Sequence, residues 1–339
     1  AYILDSQDYN IPAITYDLLS NEVFTSASFK PFTIQTSSGV KTFNHGSLII
    51  PLSIQKKLNS NELYEKMMSV QEKFNVNIYS VQSGLSSTGI DLGSRYVMPI
   101  NKPNAMMLIG TGVRAYEAGE VWHLLDQRVG MPITKIPMRN FDNILMDKYN
   151  VLVLVSGDYK LSDSQIQKIK TWAENGNTII SIGSGSKLLI EKKIVDENLL
   201  EKEEFDEMDY LAYGDAEENR DKEQIGGVIL NSIIDLTHPL AFGYENNTLP
   251  LYKNNSIWLK PSKNSYSTVV RYSDDPLIDG FLSEKNKSKI NKSVSLVVSK
   301  VGRGIAIMFA DNPNFRGAWY GTNRLFLNAI FLGDKISIP

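Results

Sequence analysis

The chain has no cysteine, which removes disulfides, thiolate metal sites and cysteine nucleophiles together. That composition suits an oxidising compartment without requiring one. Histidine is nearly as scarce: His45, His123 and His238 are the only three in 339 residues, so imidazole chemistry has few places to occur. No apolar run approaches the ~18 residues of a membrane span, and no charged-then-apolar leader opens the chain. An excess of one charge is also missing. The net charge of −3 gives no electrostatic reason to bind nucleic acid or an anionic membrane. Internal repeats and low-complexity tracts are absent, and Ala1 is not a natural start, which suggests a mature or truncated chain.

What is present is an ordinary globular composition, 42% hydrophobic and 22% charged, with length for two domains of roughly 150 residues. Pro99 and Pro103 bracket a boundary in PINKPN, dividing residues 1–101 from 102–339. The first part reads as a small α/β domain. AYILD and Val23–Phe29 have strand character, and Ile14, Leu18 and Leu19 form a helical stripe. FTIQTSSGVKTF reads as a hairpin turning at Ser38-Gly39. Leu63, Met67, Val70 and Phe74 predict a helix with one buried face between short strands at Ser47–Pro51 and Val76–Val81.

The second part is organised around Asn104–Gly130: an apolar strand at Met106–Ile109, a glycine turn, and a helix burying Val121, Leu124, Leu125 and Val129. Gly130 stops that helix and Pro132 lies just beyond. Strands follow at Pro132–Ile136, Val151–Val155 and Thr178–Ile182. Ser162-x-x-Gln165 opens a helix with Ile166, Ile169 and Ala173 inward, ended by Gly176. Nearly all-apolar strands alternating with helices predict a three-layer, doubly wound, mainly parallel sheet preceded by the smaller α/β domain. Thirteen carboxylates between Asp196 and Glu223 mark residues 192–224 as a solvated, mobile acidic insertion, without the spacing of an EF-type calcium loop. Strands return at Gly227–Leu230, Ser267–Arg271, Val294–Ser299 and Gly304–Ala310. The loop ADNPNFRGAWYG leads to a last helix at Asn323–Leu332.

Gly110-Thr111-Gly112-Val113-Arg114-Ala115 fits the dinucleotide pattern, in which backbone amides approach a pyrophosphate at a helix start. The acidic residue that should hold the ribose is missing where the next strand ends in Pro137-Met138-Arg139, and Glu117 and Glu120 would oppose a diphosphate. Glu120-x-x-His123 sets a carboxylate and an imidazole about 60° apart on one helix face, but a metal needs further converging ligands. The plainer reading makes His123 a hydrogen-bonded structural residue on a largely buried helix. Gly183-Ser184-Gly185-Ser186 occupies a strand-to-helix elbow yet does not match Gly-x-Ser-x-Gly, and reads more simply as a tight small-residue turn.

AYEAGEVWHLLDQRVGMP, HPLAFGY and FADNPNFRGAWYGTNRLFLNAIF resemble the C-terminal region of bacterial zinc carboxypeptidase-like proteins. Tyr9–Leu19, Gly46–Pro51 and GLSSTGIDLGS agree with the segment that follows their peptidase domain, so the resemblance covers nearly the whole chain. It implies a flavodoxin-like sheet of the class I glutamine amidotransferase-like kind, whose elbow after the fourth strand carries a catalytic cysteine. Matching ISIGSGSKLL to that elbow puts Gly183 at the nucleophile position with Ser184 beside it, so that activity does not carry over. The peptidase zinc motif, His-x-x-Glu with a distant His, is not matched either. Three residues beyond His45, His123 and His238 stand Leu48, Asp126 and Ala241.

The resemblance therefore implies a non-catalytic accessory region, with no cofactor of its own and zinc only in an upstream peptidase domain of the same polypeptide. Export to the periplasm or cell exterior is the family expectation. The expected groove, for peptide or cell-wall substrate, gathers loops Gly110–Glu117, Ser156–Tyr159, Gly183–Lys187 and Asp311–Tyr320 at the sheet's C-terminal edge. Arg114 and Arg316 would fix a carboxylate, and Tyr116, Tyr159 and Tyr320 would offer stacking surface. Glu117, Asp158, Ser184, Ser186, Asp311 and Asn312 complete the candidate residues. Two rivals stand beside this reading: a serine hydrolase using Ser184 or Ser186 with His238, and a structural or dimerising domain in a homo-oligomer.

Overall fold

The period-two and period-3.6 patterns become elements much as expected in the N-terminal part of the computed structural model, which describes residues 1–200 and 212–339. The elements are β1 (Tyr2–Leu4), α1 (Ile11–Ser20), β2 (Ser26–Ser28), β3 (Phe32–Thr36), β4 (Gly39–Phe43), β5 (Leu48–Ile50), α2 (Ser60–Phe74), β6 (Ile78–Ser80), β7 (Thr88–Gly89) and β8 (Val97–Pro99). Antiparallel strands in the order β6-β1-β5-β2-β8 form one sheet, and β4-β3-β7 form a second. The hairpin turns at Ser37-Ser38, one residue early, because Thr36 already pairs with Gly39, whose φ is 110°. In α2, Leu63, Met67 and Val70 are buried below a capping box made by Asn59 and Glu62.

Beyond Pro103 come β9 (Ala105–Ile109) and α3 (Ala115–Trp122), which runs on as a π-helical segment, His123–Val129. Then follow β10 (Thr134–Pro137), β11 (Val151–Leu154), α4 (Asp163–Glu174), β12 (Thr178–Ile182), α5 (Ser184–Glu191), α6 (Ala216–Glu223), β13 (Val228–Ile234), β14 (Thr248–Lys253), β15 (Thr268–Gly280), α7 (Glu284–Asn291), β16 (Val294–Val301), β17 (Gly304–Phe309) and α8 (Tyr320–Leu332). One sheet holds nine strands in the order β10-β9-β11-β12-β17-β16-β15-β13-β14. The first five are mutually parallel and, in order of appearance, read 2-1-3-4-5. That is the flavodoxin-like doubly wound arrangement.

The remaining four strands are antiparallel and are inserted in sequence between the fourth and fifth parallel strands. Strand β14 was not anticipated because TLPLYK carries Pro250. It lies at the sheet edge, where a missing amide is tolerated.

Alternation along the parallel strands separates two cores. Met107, Val153, Ile180 and Ile307 face α3 and α8, whereas Met106, Leu152, Ile179 and Met308 face α4 and α5. Ile14 and Leu18 of α1 and Met67 of α2 belong to the same buried cluster as Val121 of α3 and Phe326 of α8. A third, smaller cluster, with Phe32 and Phe43 stacked at 5.3 Å, fills the N-terminal part. Within the acidic insertion, α6 buries none of its described side chains, while residues 201–211 lie outside the described residues. No helix among the described residues is long and apolar enough to cross a membrane.

Candidate functional site

In a 2-1-3-4-5 sheet the crevice for a ligand opens between the ends of the first and third strands, here β9 and β11. This chain fills it with its own backbone. Arg114 N–H donates to Ser156 O at 2.9 Å and Asp158 N–H donates to Gly112 O at 2.8 Å. A Cβ on Gly112, whose φ is 88°, would lie 2.3 Å from Asp158 O. The glycines of the dinucleotide-like turn thus serve close contact with the next loop rather than a pyrophosphate.

The open space lies beside α3, toward the loop after β17. A cleft of about 1000 Å³ runs between α3 and the loop after β17, lined by Arg114, Tyr116, Glu117, Glu120, His123, Asn254, Asn312, Phe315 and Arg316 with Ala115, Gly119 and Gly317. Two carboxylates build its wall, and both are engaged inside the protein. Glu117, largely buried, accepts from Ser156 N–H at 2.8 Å and has Arg114 Nη1 at 3.6 Å. Glu120 accepts from Asn312 Nδ2 at 2.6 Å and from Arg316 N–H at 2.6 Å. Burial holds the Glu120 carboxyl above its ordinary range; Glu117 adds to this, while Asn312 and Arg316 oppose it.

The basic groups are more exposed and less engaged. Arg114 is 63% exposed, Arg316 is exposed, and the Arg316 guanidinium has no carboxylate partner among the described residues. Tyr116, 91% exposed, and Phe315, stacked on Tyr252 at 3.8 Å, supply aromatic surface. His123 departs from expectation. It is exposed on the cleft wall rather than packed inside, because it continues the face of Tyr116, Gly119 and Glu120 at helical spacing while Ala118, Val121, Leu124 and Leu125 take the buried positions.

The four loops expected to meet do so only in part. Arg114, Tyr116, Glu117, Asn312 and Arg316 come together in the cleft; Asp158, Tyr159, Ser184, Ser186, Asp311 and Tyr320 do not line it. Tyr159 is buried and donates its hydroxyl to Val155 O at 2.8 Å, so it offers no stacking surface. Asp158 is exposed and pairs with Lys160. Asp311 is buried against Lys253. Tyr320 packs beneath Arg128, 4.1 Å from ring centre to guanidinium, in a separate cluster with Tyr9.

Ser184 Oγ accepts from Gly157 N–H at 2.8 Å and donates to Gly157 O at 3.1 Å. Ser186 Oγ is buried between Ser181 Oγ and Phe309 O, both at 2.9 Å. His238 follows β13, four strands from β12 and so about 19 Å across the sheet at the usual strand spacing. Its Nδ1 accepts from Leu240 N–H. The structure does not bring either serine together with His238. Glu120, His123 and Asn254 line the cleft but were not expected in it, and Phe315 and Gly317 come from the expected Asp311–Tyr320 loop without having been singled out. Asn254 follows the unanticipated β14, and nothing in its local sequence signals an approach to α3.

The elbow itself is present. Gly183 takes φ 56° and ψ −121° immediately before α5, and a Cβ there would fall 2.2 Å from Ser156 Oγ. Among the described residues no group of three His, Asp or Glu side chains is arranged to hold a metal ion.

Fold and cleft together define a flavodoxin-like α/β protein with a ligand-sized cleft beside the first helix of its doubly wound sheet. No family model and no curated protein matches the chain. Among solved structures, a ThuA-like protein from Parabacteroides merdae is 13% identical, covering 69% of this chain and 90% of its own, with a TM-score of 0.43. A protein described as a GMP synthase component from Thermoplasma acidophilum is 10% identical, covering 67% and 92%, with a TM-score of 0.43. A glutamine amidotransferase from Thermotoga maritima is 9% identical, covering 62% and 76%, with a TM-score of 0.36. At these scores the likenesses add nothing to what the strand order already says.

Proposed function

We propose that this chain is a non-catalytic accessory region of an exported zinc carboxypeptidase-like protein, and that the cleft beside α3 holds the carboxylate of a peptide or cell-wall fragment for the peptidase domain. The observation that carries this reading is the imbalance inside the cleft. Its acids are engaged by Ser156, Asn312, the Arg316 amide and, at 3.6 Å, Arg114, while the exposed Arg316 guanidinium has no carboxylate partner among the described residues and Arg114 keeps further donors beside the exposed Tyr116 ring. Guanidinium forks match carboxylates in shape and charge, and Tyr116 and Phe315 would take an adjoining apolar side chain. The long sequence motifs supply the family part of the proposal, and the glycine at the elbow supplies its non-catalytic part.

Titration calorimetry with short peptides tests the cleft. A free C-terminal carboxylate should bind, and Arg114→Gln with Arg316→Gln should weaken binding at least about tenfold, since each charge-assisted hydrogen bond contributes about 1.5–3 kcal/mol. Equal heats from wild type and double variant would sink the assignment of the ligand to this cleft. The family part is tested by the gene: an in-frame upstream domain with an intact His-x-x-Glu motif is expected. A stop codon directly before Ala1 would overturn it.

A further inference from the structure

One side chain ties the loop side of the cleft to its helical wall. The segment Asn312–Gly317 reaches α3 through Glu120, whose two oxygens accept separately from Asn312 Nδ2 and Arg316 N–H. At the second anchor and the residue after it the backbone turns left-handed, which is unfavourable for Arg316. Arg316 has φ 53° and Gly317 φ 61°, so two consecutive residues are left-handed and one carries a side chain. The same segment presents Phe315 and the Arg316 guanidinium to the cleft.

We propose that Glu120 is a proton-operated clasp: as a carboxylate it locks Asn312–Gly317 in the ligand-receiving conformation, and on protonation it releases that loop. The inference rests on the cleft being a ligand site and concerns how that site is regulated. The chemistry is that of acceptor count. A carboxylate offers lone pairs on both oxygens, whereas the neutral acid carries hydrogen on one of them and cannot serve both donors equally. One bond is then lost, and the left-handed turn at Arg316 loses part of what maintains it.

The charged surroundings place the switch above the usual carboxylate range. On its own helix Glu120 faces Glu117 and His123, with Arg114 at the helix start; from the loop it faces Arg316; the segment after β14 brings only the neutral Asn254. Burial and Glu117 favour the protonated form and Arg316 the ionised one, with a net upward displacement. A carboxyl raised on folding makes the whole protein less stable as pH rises through its folded value, even as the clasp forms. The device thus exchanges a little global stability for local order in the cleft.

The test is a pH titration from 4 to 8 of protein selectively labelled with ¹⁵N-arginine, following the Arg316 amide, which is identified by its loss in Arg316→Lys. The expected result is a chemical-shift inflection above the ordinary glutamate value of about 4.3, absent in Glu120→Gln. No inflection, or one that persists in Glu120→Gln, overturns the clasp. Peptide binding is measured over the same range. If only the clasped form binds, the apparent Kd rises about tenfold per pH unit below the inflection, and Glu120→Gln removes that slope. Peptide that binds with no such slope leaves the ligand site standing and overturns the clasp. Peptide that fails to bind at any pH overturns the ligand site and the regulation that depends on it.

Discussion

Lys253 and Asp311 meet at 3.0 Å with almost no access to water, so each ion must find all its partners inside the protein. They do. Lys253 Nζ also donates to Ile257 O at 3.0 Å and Asn255 Oδ1 at 3.4 Å; Asp311 Oδ2 accepts from Tyr272 Oη at 2.6 Å and Ser295 Oγ at 2.7 Å. Burial and the neighbouring Asp311 push the Tyr272 hydroxyl well above its usual range, which keeps it a donor. A buried pair this well satisfied is destabilising to break but tolerant of joint apolar replacement. Asp311→Leu or Lys253→Met alone should lower unfolding stability by about 3–5 kcal/mol, and the two together by clearly less than their sum. Urea unfolding of the three variants checks this; additive losses would refute it. The same network explains why a polar residue in the loop after β17 proved structural rather than ligand-facing. Gly183 is the converse: with φ 56° and Ser156 Oγ 2.2 Å from where a Cβ would stand, its position is set by backbone and space alone.

At the scale of elements, the segment HPLAFGY shows why a long motif need not be a site. His238 caps a short 3₁₀ turn, Pro239–Ala241, by accepting from Leu240 N–H. Asn328 on α8 donates to Leu240 O and Phe242 O, both at 2.8 Å, and Tyr244 donates to Gly321 O. The motif is a dock for the last helix. Burial lowers the His238 pKa from 6.5 to about 4, so folding selects its neutral form. The sign follows: stability from His238 is complete above pH 6.5 and is lost as pH falls toward 4. The loss should be about 2 kcal/mol, below the full linkage value because the ring keeps some contact with water. Thermal unfolding at pH 7 and pH 4.5 measures it. His238→Asn, which keeps a capping acceptor, should remove the largest acid-side loss, leaving a smaller part of the same sign from His45, which burial also depresses beside Phe242, and opposite parts from Glu120 and Glu197, whose pKa values burial raises. An unchanged pH profile in that variant would refute the assignment.

Over the whole molecule, the two parts of the chain are joined by a shared buried cluster in which α1 and α2 meet α3 and α8. Arg324 on α8 reinforces the junction by donating to Ser6 O at 2.6 Å and Asp8 O at 3.0 Å. Removing one part would expose the apolar faces of the other, which predicts a single cooperative unfolding transition for both. Calorimetry and urea curves followed by circular dichroism should coincide. Two separated transitions would contradict it.

The sequence by itself determined most of the strands and helices and their order, though not, for example, β7, β8, β14 or α7. Alternation in Met106–Leu108 and Leu152–Leu154, the Ser162–Gln165 cap and the Gly130 stop act within a few residues, and local patterns survive any tertiary arrangement. It also determined that position 183 presents no side chain to the turn before α5, since glycine has none wherever it sits. The tertiary structure alone decided which polar residues share a surface. Asn254 and His123 are 131 positions apart and meet only because four antiparallel strands are inserted before β17. Asp311 and Asn312 are neighbours in the chain, yet one is locked to Lys253 and the other faces the cleft, because burial and partner supply are properties of packing. The glycine turn at Gly110–Gly112 offered backbone amides in sequence. Folding filled that crevice with the Ser156–Asp158 loop and left the open cleft between the same helix and the loop after β17.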